Sequence, residues 1–312
     1  MKKKKKEKKI LYQLIFSAFL LFSNAYLVKA NSYILSQDST GKYCINTEQD
    51  YYNFIENIQN YNNKTVILCN DIDISDVPEA TSSFGGILNG KGHTITYASK
   101  EAKENIAVFP FRINDNGIVE NINVQIDESY AYNSETDEFQ TVFSRCDGIA
   151  KGITIKGNVT CIYDDEDTDV YIGAIEGNGT LMDSSIAITY DLQSEKTIEE
   201  IADDIVDNDL SFEFCQLGTI NTGITYQNCI GYGQYSEAIK SLADELEPKI
   251  KDNTWGYLCV SFTRKSFFST SASATNCYYD KENMPDIKIM SEYITNRDNN
   301  KEFPNYADFG KT

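Results

Sequence analysis

Short apolar segments recur along the chain, each after a glycine and each interrupted by a polar corner. They read GIVENINV from Gly117, GIAKGITI from Gly148, GTLMDSSIAI from Gly179 and GITYQNCIGY from Gly223. Apolar and polar residues alternate on both sides of an Asn, Asp, Gly or Ser corner, as in half-buried strands joined by tight turns. A second apolar segment precedes each glycine: 106–111, 141–145, 170–175 and 214–220. The pattern predicts a repeated unit of short strands.

The length of the unit is nearly constant once two helical segments are set aside. The equivalent anchor positions are taken as Ile95, Ile122, Ile153, Ile186, Ile230 and Tyr278. The first three intervals between them are about 30 residues long, as is usual for repeat proteins, and the last two are longer. Both long intervals contain an acidic amphipathic pattern, which predicts helical insertions near 195–208 and 235–250. Without these insertions, all five intervals are similar.

A unit of this size cannot bury its apolar faces alone, so successive units must stack. The sequence therefore predicts an all-β fold, a right-handed parallel β-helix (solenoid) over residues 31–280, followed by a polar tail, 281–312. An amphipathic helix near 48–60 is expected to cap the first coil, with Thr47 and Asp50 as an imperfect capping box. Strands are expected near 33–45 and 65–74. A β-sandwich is the alternative, because it also uses many short strands.

Residues 1–30 are predicted to be a signal peptide. A basic start, MKKKKKEKK, runs into the apolar stretch 10–28, which ends in the small-residue triplet Val28, Lys29, Ala30. This arrangement is typical of export, with cleavage after Ala30 or, by a second triplet, after Ala25. An uncleaved membrane anchor is the alternative. The mature protein is then secreted, or displayed at the cell surface.

The charge and the cysteine content restrict the possible binding partners and the possible state of the cysteines. The net charge of −19 becomes −26 without residues 1–30, because eight lysines and one glutamate are lost, leaving 20 basic and 46 acidic residues. Such a surface disfavours binding to nucleic acid. The eight cysteines permit disulfides in an exported chain, but several, such as Cys229 and Cys259, occupy apolar positions typical of buried thiols. The sequence leaves the pairing open.

Three segments carry a distinctive order of motifs: YYNFIENIQNYNNKTVILCNDIDIS (51–75), FGGILNGKGHTITY (84–97) and IAVFPFRINDNGIVENINVQI (106–126). They resemble the GLUG-motif proteins, which are adhesin-like secreted or surface proteins, mostly of bacteria. TNCYYD (275–280) is similar to the closing strand of such arrays. The name-giving tetrapeptide is degenerate here. The resemblance implies adhesion or surface display and carries over no catalytic residue.

Candidate chemistry is sparse. His93 is the only histidine, which excludes multi-histidine metal sites, and its side chain is expected to bond a neighbouring backbone group. The weak calcium candidates are Asp164, Asp165, Asp167 and Asp169, in a run that more simply indicates a solvated loop. Arg112 and Arg145 are expected on one face of neighbouring coils, and Tyr130 and Tyr132 are candidates for stacking against a ligand.

The sequence is therefore interpreted as a non-enzymatic, adhesin-like binding protein without catalytic residues or cofactor. Its expected partner is a glycan or protein of a host or cell surface. The alternative is a carbohydrate-active β-helix enzyme, a polysaccharide lyase or glycoside hydrolase, because such folds combine carboxylates with a basic residue. A self-assembling coat component is a third hypothesis.

Overall fold

The computed structural model describes residues 34–75, 77–78, 80, 82–98, 107–132, 138–163, 168–208, 210–216, 223–231, 234–246, 248–249, 257–261, 273–275 and 278–279. The compact unit that begins at Leu35 contains the fold considered below. The expected signal peptide and the polar tail lie outside the described residues. No helix among the described residues is long and apolar enough to cross a membrane.

Most of the described residues form strands, and helices are few. The strands are β1 (Tyr43–Ile45), β2 (Thr65–Leu68), β3 (Ile72–Ile74), β4 (Ile87–Asn89), β5 (Thr94–Ala98), β6 (Phe109–Ile113), β7 (Ile118–Tyr132), β8 (Glu138–Cys146), β9 (Ile149–Tyr163), β10 (Val170–Ile175), β11 (Thr180–Met182), β12 (Ser185–Gln193), β13 (Ser211–Cys215), β14 (Thr225–Gln227), β15 (Ile230–Gly231), β16 (Gln234–Tyr235), β17 (Tyr257–Ser261), β18 (Ser273–Thr275) and β19 (Tyr278–Tyr279). The helices are α1 (Glu48–Glu56), α2 (Ile198–Asp207) and α3 (Glu237–Leu246), with a 3₁₀ turn at Ile58–Tyr61.

The strands form two parallel sheets. Across the described ranges, a 14-stranded sheet has the main order β1-β2-β4-β7-β9-β11-β14-β18, and its second ladder runs through β3, β5, the distal halves of β7 and β9, β12, β15 and β19. A five-stranded sheet has the order β6-β8-β10-β13-β17. Each of these strand pairings is parallel, which a β-sandwich of antiparallel sheets does not allow. The predicted all-β, parallel class is confirmed.

Strand register repeats at a constant interval in the middle of the chain. Leu88 lies opposite Val119, Val119 opposite Ala150, and Ala150 opposite Leu181. Asn89 and Glu120, the next pair along the first of these ladders, have a sequence separation of 31 and join their side chains by a hydrogen bond. The next two steps, to Tyr226 and then to Ala274, are longer because α2 and α3 lie within them, as predicted.

The register corrects some of the predicted anchor equivalences. Ile122 lies opposite Ile153, and Ile230 opposite Tyr278, as predicted. The remaining anchors are displaced by one or two positions along the strand, with these partners: Ile95 with Val124, Ile186 with Ile155, and Ile230 with Ser185. A residue two positions along a strand faces the same side, so the apolar pattern alone does not distinguish the two-position shifts at Ile95 and Ile186.

The polar corners of the repeats adopt the left-handed conformation. Lys91, Asn121, Gly152, Asp183 and Asn228 have φ values of 52°, 55°, 62°, 51° and 53° and follow one another in successive units. Asn and Gly tolerate this region, and Asp does so better than most residues. At the last corner, the Asn228 side-chain amide donates to Asp183 Oδ1 at 2.9 Å, which joins two successive corners.

Helix α1 lies within the predicted helical segment 48–60 and packs against β1 and β3. The Thr47 hydroxyl accepts a hydrogen bond from the Asp50 backbone N–H at 3.2 Å, which caps the helix. Tyr51, Phe54 and Ile55 are fully buried, and the Tyr51 hydroxyl donates to the Val108 carbonyl at 2.6 Å. The expected strand near 33–45 is shorter than predicted, since only Tyr43–Ile45 forms one beyond an antiparallel bridge at Gln37.

Cys44 and Cys69 form a disulfide that joins β1 to the end of β2, with 5.8 Å between their Cα atoms. Cys146, Cys161 and Cys215 are buried, as is Cys229, whose predicted apolar position is confirmed. Burial raises the pKa of the Cys146 thiol to about 12, so it stays protonated at neutral pH. The side chains of Cys259 and Cys277 lie outside the described part of the chain.

Candidate functional site

Two arginines lie side by side on the outer face of the five-stranded sheet. Arg112 on β6 is the register partner of Arg145 on β8. Their neighbours Phe111, Ile113 and Cys146 are buried, so the alternation of the strands directs the arginines outward. The side chains of Arg112 and Arg145 are 54% and 38% exposed. The two arginines were expected on one face of neighbouring coils, and they lie on one face of neighbouring parallel strands.

A buried carboxylate holds the pair together. Asp147 lies in the turn between β8 and β9, and its side chain is only 5% exposed. Its Oδ2 lies 2.5 Å from Arg112 Nε and 3.0 Å from Arg145 Nε, and its Oδ1 accepts the Asn178 backbone N–H at 3.1 Å. Arg145 Nη1 also contacts Glu176 Oε1 at 3.4 Å. We call Arg112, Arg145, Asp147 and Glu176 the arginine cluster.

Electrostatics keep the cluster ionised. Burial alone would raise the pKa of Asp147, but hydrogen bonds from Arg145 and Asn178 and the charges of both arginines outweigh it, so the pKa is lowered. The hydrogen bond to Asp147 raises the pKa of Arg145. Arginine side chains are cationic in proteins, and Asp147 is therefore anionic beside them across the physiological range.

The contacts leave one edge of the pair available to a ligand. Within the described residues, Arg112 uses only Nε in an ion pair, and Arg145 uses Nε and Nη1. Both Nη atoms of Arg112 and Nη2 of Arg145 therefore remain for hydrogen bonding. Because Asp147 fixes each guanidinium through Nε, the remaining donors are oriented before any ligand arrives. The arrangement suits the binding of an oxyanion.

Of the four calcium candidates, only Asp169 belongs to the part of the chain that the structure describes. Asp164, Asp165 and Asp167 lie outside the described residues. Asp169 accepts the Ser211 backbone N–H at 2.6 Å and the Tyr171 hydroxyl at 3.2 Å, so its carboxylate joins β10 to β13. Among the described residues, no group of three or more His, Cys, Asp or Glu side chains is arranged to hold a metal ion.

The His93 side chain contacts a carboxylate, whereas a bond to a neighbouring backbone group was predicted. Its Nδ1 lies 3.0 Å from Asp71 Oδ1, which also accepts the Thr94 backbone N–H at 2.9 Å. The His93 backbone N–H donates to the Gly90 carbonyl, as expected for a tight turn. The side chain thus joins the segment before β3 to β5. The side chains of the stacking candidates Tyr130 and Tyr132 lie outside the described residues.

The sequence singled out neither Glu176 nor Asp147, and of these two Asp147 is the residue that contacts both arginines. The signal was its position two residues after Arg145 and directly before the repeat glycine Gly148. The chain is rich in acidic residues, however, and only the pairing of β6 with β8 shows which of them is buried beside the arginines. Comparisons with protein-family models, curated proteins and solved structures found no match.

Proposed function

We propose that the mature chain is a non-enzymatic, adhesin-like binding protein, secreted or displayed at the cell surface. Its scaffold in this proposal is a right-handed parallel β-helix of the GLUG-motif type. Parallel strands that recur at a constant interval support the scaffold, as do the stacked glycines and corners. The partner is a glycan or protein of a host or cell surface.

One observation carries the binding function: the arginine cluster presents fixed, solvent-facing donors on an otherwise acidic protein. Arg112 is more than half exposed, yet its Nε is fixed by a carboxylate that is almost fully buried. A salt bridge that serves stability alone does not need exposed donors that are left without a partner. Oriented donors on a rigid sheet are the usual basis of a recognition site.

Binding of the purified protein to intact cells and to a glycan array tests this proposal. The full chain is expressed so that its own export segment is processed, and the product is compared with an Arg112→Gln variant. We expect retention on at least one surface and loss of retention in the variant. Cleavage of saccharides without any stable binding would contradict the proposal.

A second candidate function, a polysaccharide lyase or glycoside hydrolase, also draws on the arginine cluster. It combines two carboxylates with two guanidinium groups, which are residue types that such enzymes use. Both oxygens of Asp147 are already occupied, however, by the arginines and by Asn178, which leaves this carboxylate poorly placed as a general acid or base. Release of new reducing ends or unsaturated products from a polysaccharide panel would favour the enzyme.

A further inference from the structure

We infer that the arginine cluster binds the single carboxylate of an acidic sugar at the end of a glycan. This inference rests on the proposed binding function and names its ligand class. It is drawn from three features of the described residues: the geometry of the free donors, the charge around them and the nature of the neighbouring side chains.

The donor geometry matches one carboxylate. With Nε of Arg112 held by Asp147, the two Nη atoms form the remaining edge of the guanidinium fork. A carboxylate accepts two parallel hydrogen bonds from such an edge. Arg145 lies one strand away, about 4.8 Å along the stack, so its Nη2 can add a third donor. Fixing the guanidinium planes in advance lowers the entropic cost of binding.

The surrounding charge favours a ligand with few negative charges. The mature chain is expected to be strongly acidic, and exposed Asp115 lies in the turn directly after β6. Long-range repulsion from this field grows with the total charge of the ligand, whereas the contact with the arginine pair is local. A polyanion is repelled along its length. An otherwise neutral glycan with one terminal carboxylate loses little binding free energy to this repulsion. It still accepts hydrogen bonds from the free edge of the Arg112 guanidinium group.

The neighbouring side chains favour a sugar over a peptide. Among the side chains that the structure describes from Leu35 onward, which do not include those of 129–140, no large apolar one is exposed, and protein interfaces depend on such anchors. The turns beside the arginines instead present amides. Asn116 and Asn178 are both exposed, and the Asn178 backbone N–H already contacts Asp147. An amide both donates and accepts, which suits the hydroxyl groups of a sugar ring.

Paired oligosaccharides test the inference directly. One member ends in a single carboxylated sugar, and the other is its carboxyl-reduced form, in which the carboxylate is a primary alcohol. Affinities are measured by titration calorimetry with the processed full-chain protein. We expect the carboxylated member to bind about tenfold more tightly or better, because its hydrogen bonds are charge-assisted.

Three variants identify the donors. Arg112→Gln is expected to abolish the preference for the carboxylated member, and Arg112→Lys to lose most of it, because lysine keeps the charge but not the fork. Lys156→Gln removes one positive charge from an exposed position on β9 and is the matched control, expected to bind within about twofold of the parent. Thermal unfolding of each variant verifies that the fold is retained.

The outcomes separate this inference from the proposed function. A carboxylate preference that disappears in Arg112→Gln and persists in Lys156→Gln supports both. Equal binding of the two oligosaccharides, or cell binding that Arg112→Gln leaves unchanged, overturns the ligand class while leaving a binding protein. Tighter binding of a fully carboxylated polymer than of the singly charged oligosaccharide also overturns it. Saccharide cleavage without retention overturns the proposed function itself.

Discussion

Gly148 lies directly over Gly117, the equivalent glycine of the preceding unit, with no room for a side chain between them. A Cβ atom on Gly148 would overlap the Gly117 carbonyl oxygen. The Ile149 backbone N–H donates to this carbonyl at 3.0 Å, so the close approach is part of the hydrogen-bonded ladder. The same contact recurs between Gly179 and the Gly148 carbonyl oxygen. Successive units are therefore stacked through glycine.

Gly148→Ala is predicted to destabilise the protein by about 3 kcal/mol, because the clashing atoms belong to the backbone and cannot rotate away. Gly85→Ala is the matched control, since its Cβ would meet the Asn114 side chain, which can move. We expect less than about 1 kcal/mol for the control. Chemical denaturation measures both. Equal stability of the two variants would show that the stack can open at Gly148.

Ile153→Asp is predicted to unfold the protein. Ile153 is fully buried and lies opposite Ile122 in the ladder, so the substitution places an unpaired charge inside the stack. Gln125→Asp adds the same charge at an exposed position opposite Lys156 and should change stability by about 0.5 kcal/mol at most. Circular dichroism and thermal melting distinguish them. A near-normal melting temperature for Ile153→Asp would place this residue outside the core.

The left-handed corner at Asn121 gives a backbone prediction. Asn121 has a φ of 55°, and its side chain is exposed. Asn121→Val should lower stability by about 1–2 kcal/mol, because a β-branched residue is strained in this conformation. Asn121→Gly should be nearly neutral, since glycine adopts it freely. If the two variants unfold at the same denaturant concentration, backbone conformation does not limit stability at this corner.

The double substitution Cys44→Ser and Cys69→Ser removes the disulfide and is predicted to lower the free energy of unfolding by about 3 kcal/mol. The reason is that the disulfide closes a loop with a sequence separation of 25. Addition of a reductant should lower the melting temperature of the parent protein and leave that of the double variant unchanged. Peptide mapping without reduction identifies the linked cysteines. Recovery of both as unlinked peptides from protein purified without reductant would contradict the pairing.

Asp147→Asn is predicted to lower stability by about 2 kcal/mol at neutral pH, because it leaves two guanidinium groups beside a buried neutral amide. The pKa of Asp147 is lowered in the folded state, so its contribution is present above the unfolded value of about 3.9 and is lost as the pH falls through the folded pKa. Denaturation at a series of pH values should show the parent and the variant converging in acid. A constant difference at every pH would mean that ionisation of Asp147 is not responsible.

Much of the fold could be predicted because its signal is local and repeated. The glycine at each unit, the alternating apolar residues after it and the amphipathic insertions are all visible in short windows of sequence. The predicted helices appear as Glu48–Glu56, Ile198–Asp207 and Glu237–Leu246. The predicted helix cap at Thr47 is also present in the structure, because it depends on two residues that are close together in the sequence.

The sequence by itself determined the strand-rich class, the repeat, the two insertions and the outward position of Arg112 and Arg145. Only the tertiary structure decided the register, the partner of Cys44 and the burial of Asp147. It also placed Gln216 inside, where its side-chain amide bonds both backbone groups of Ile188 at 2.9 and 3.0 Å. The division has one physical cause: periodicity fixes which side of a strand a residue faces, whereas contacts between residues of neighbouring units form only when the units stack.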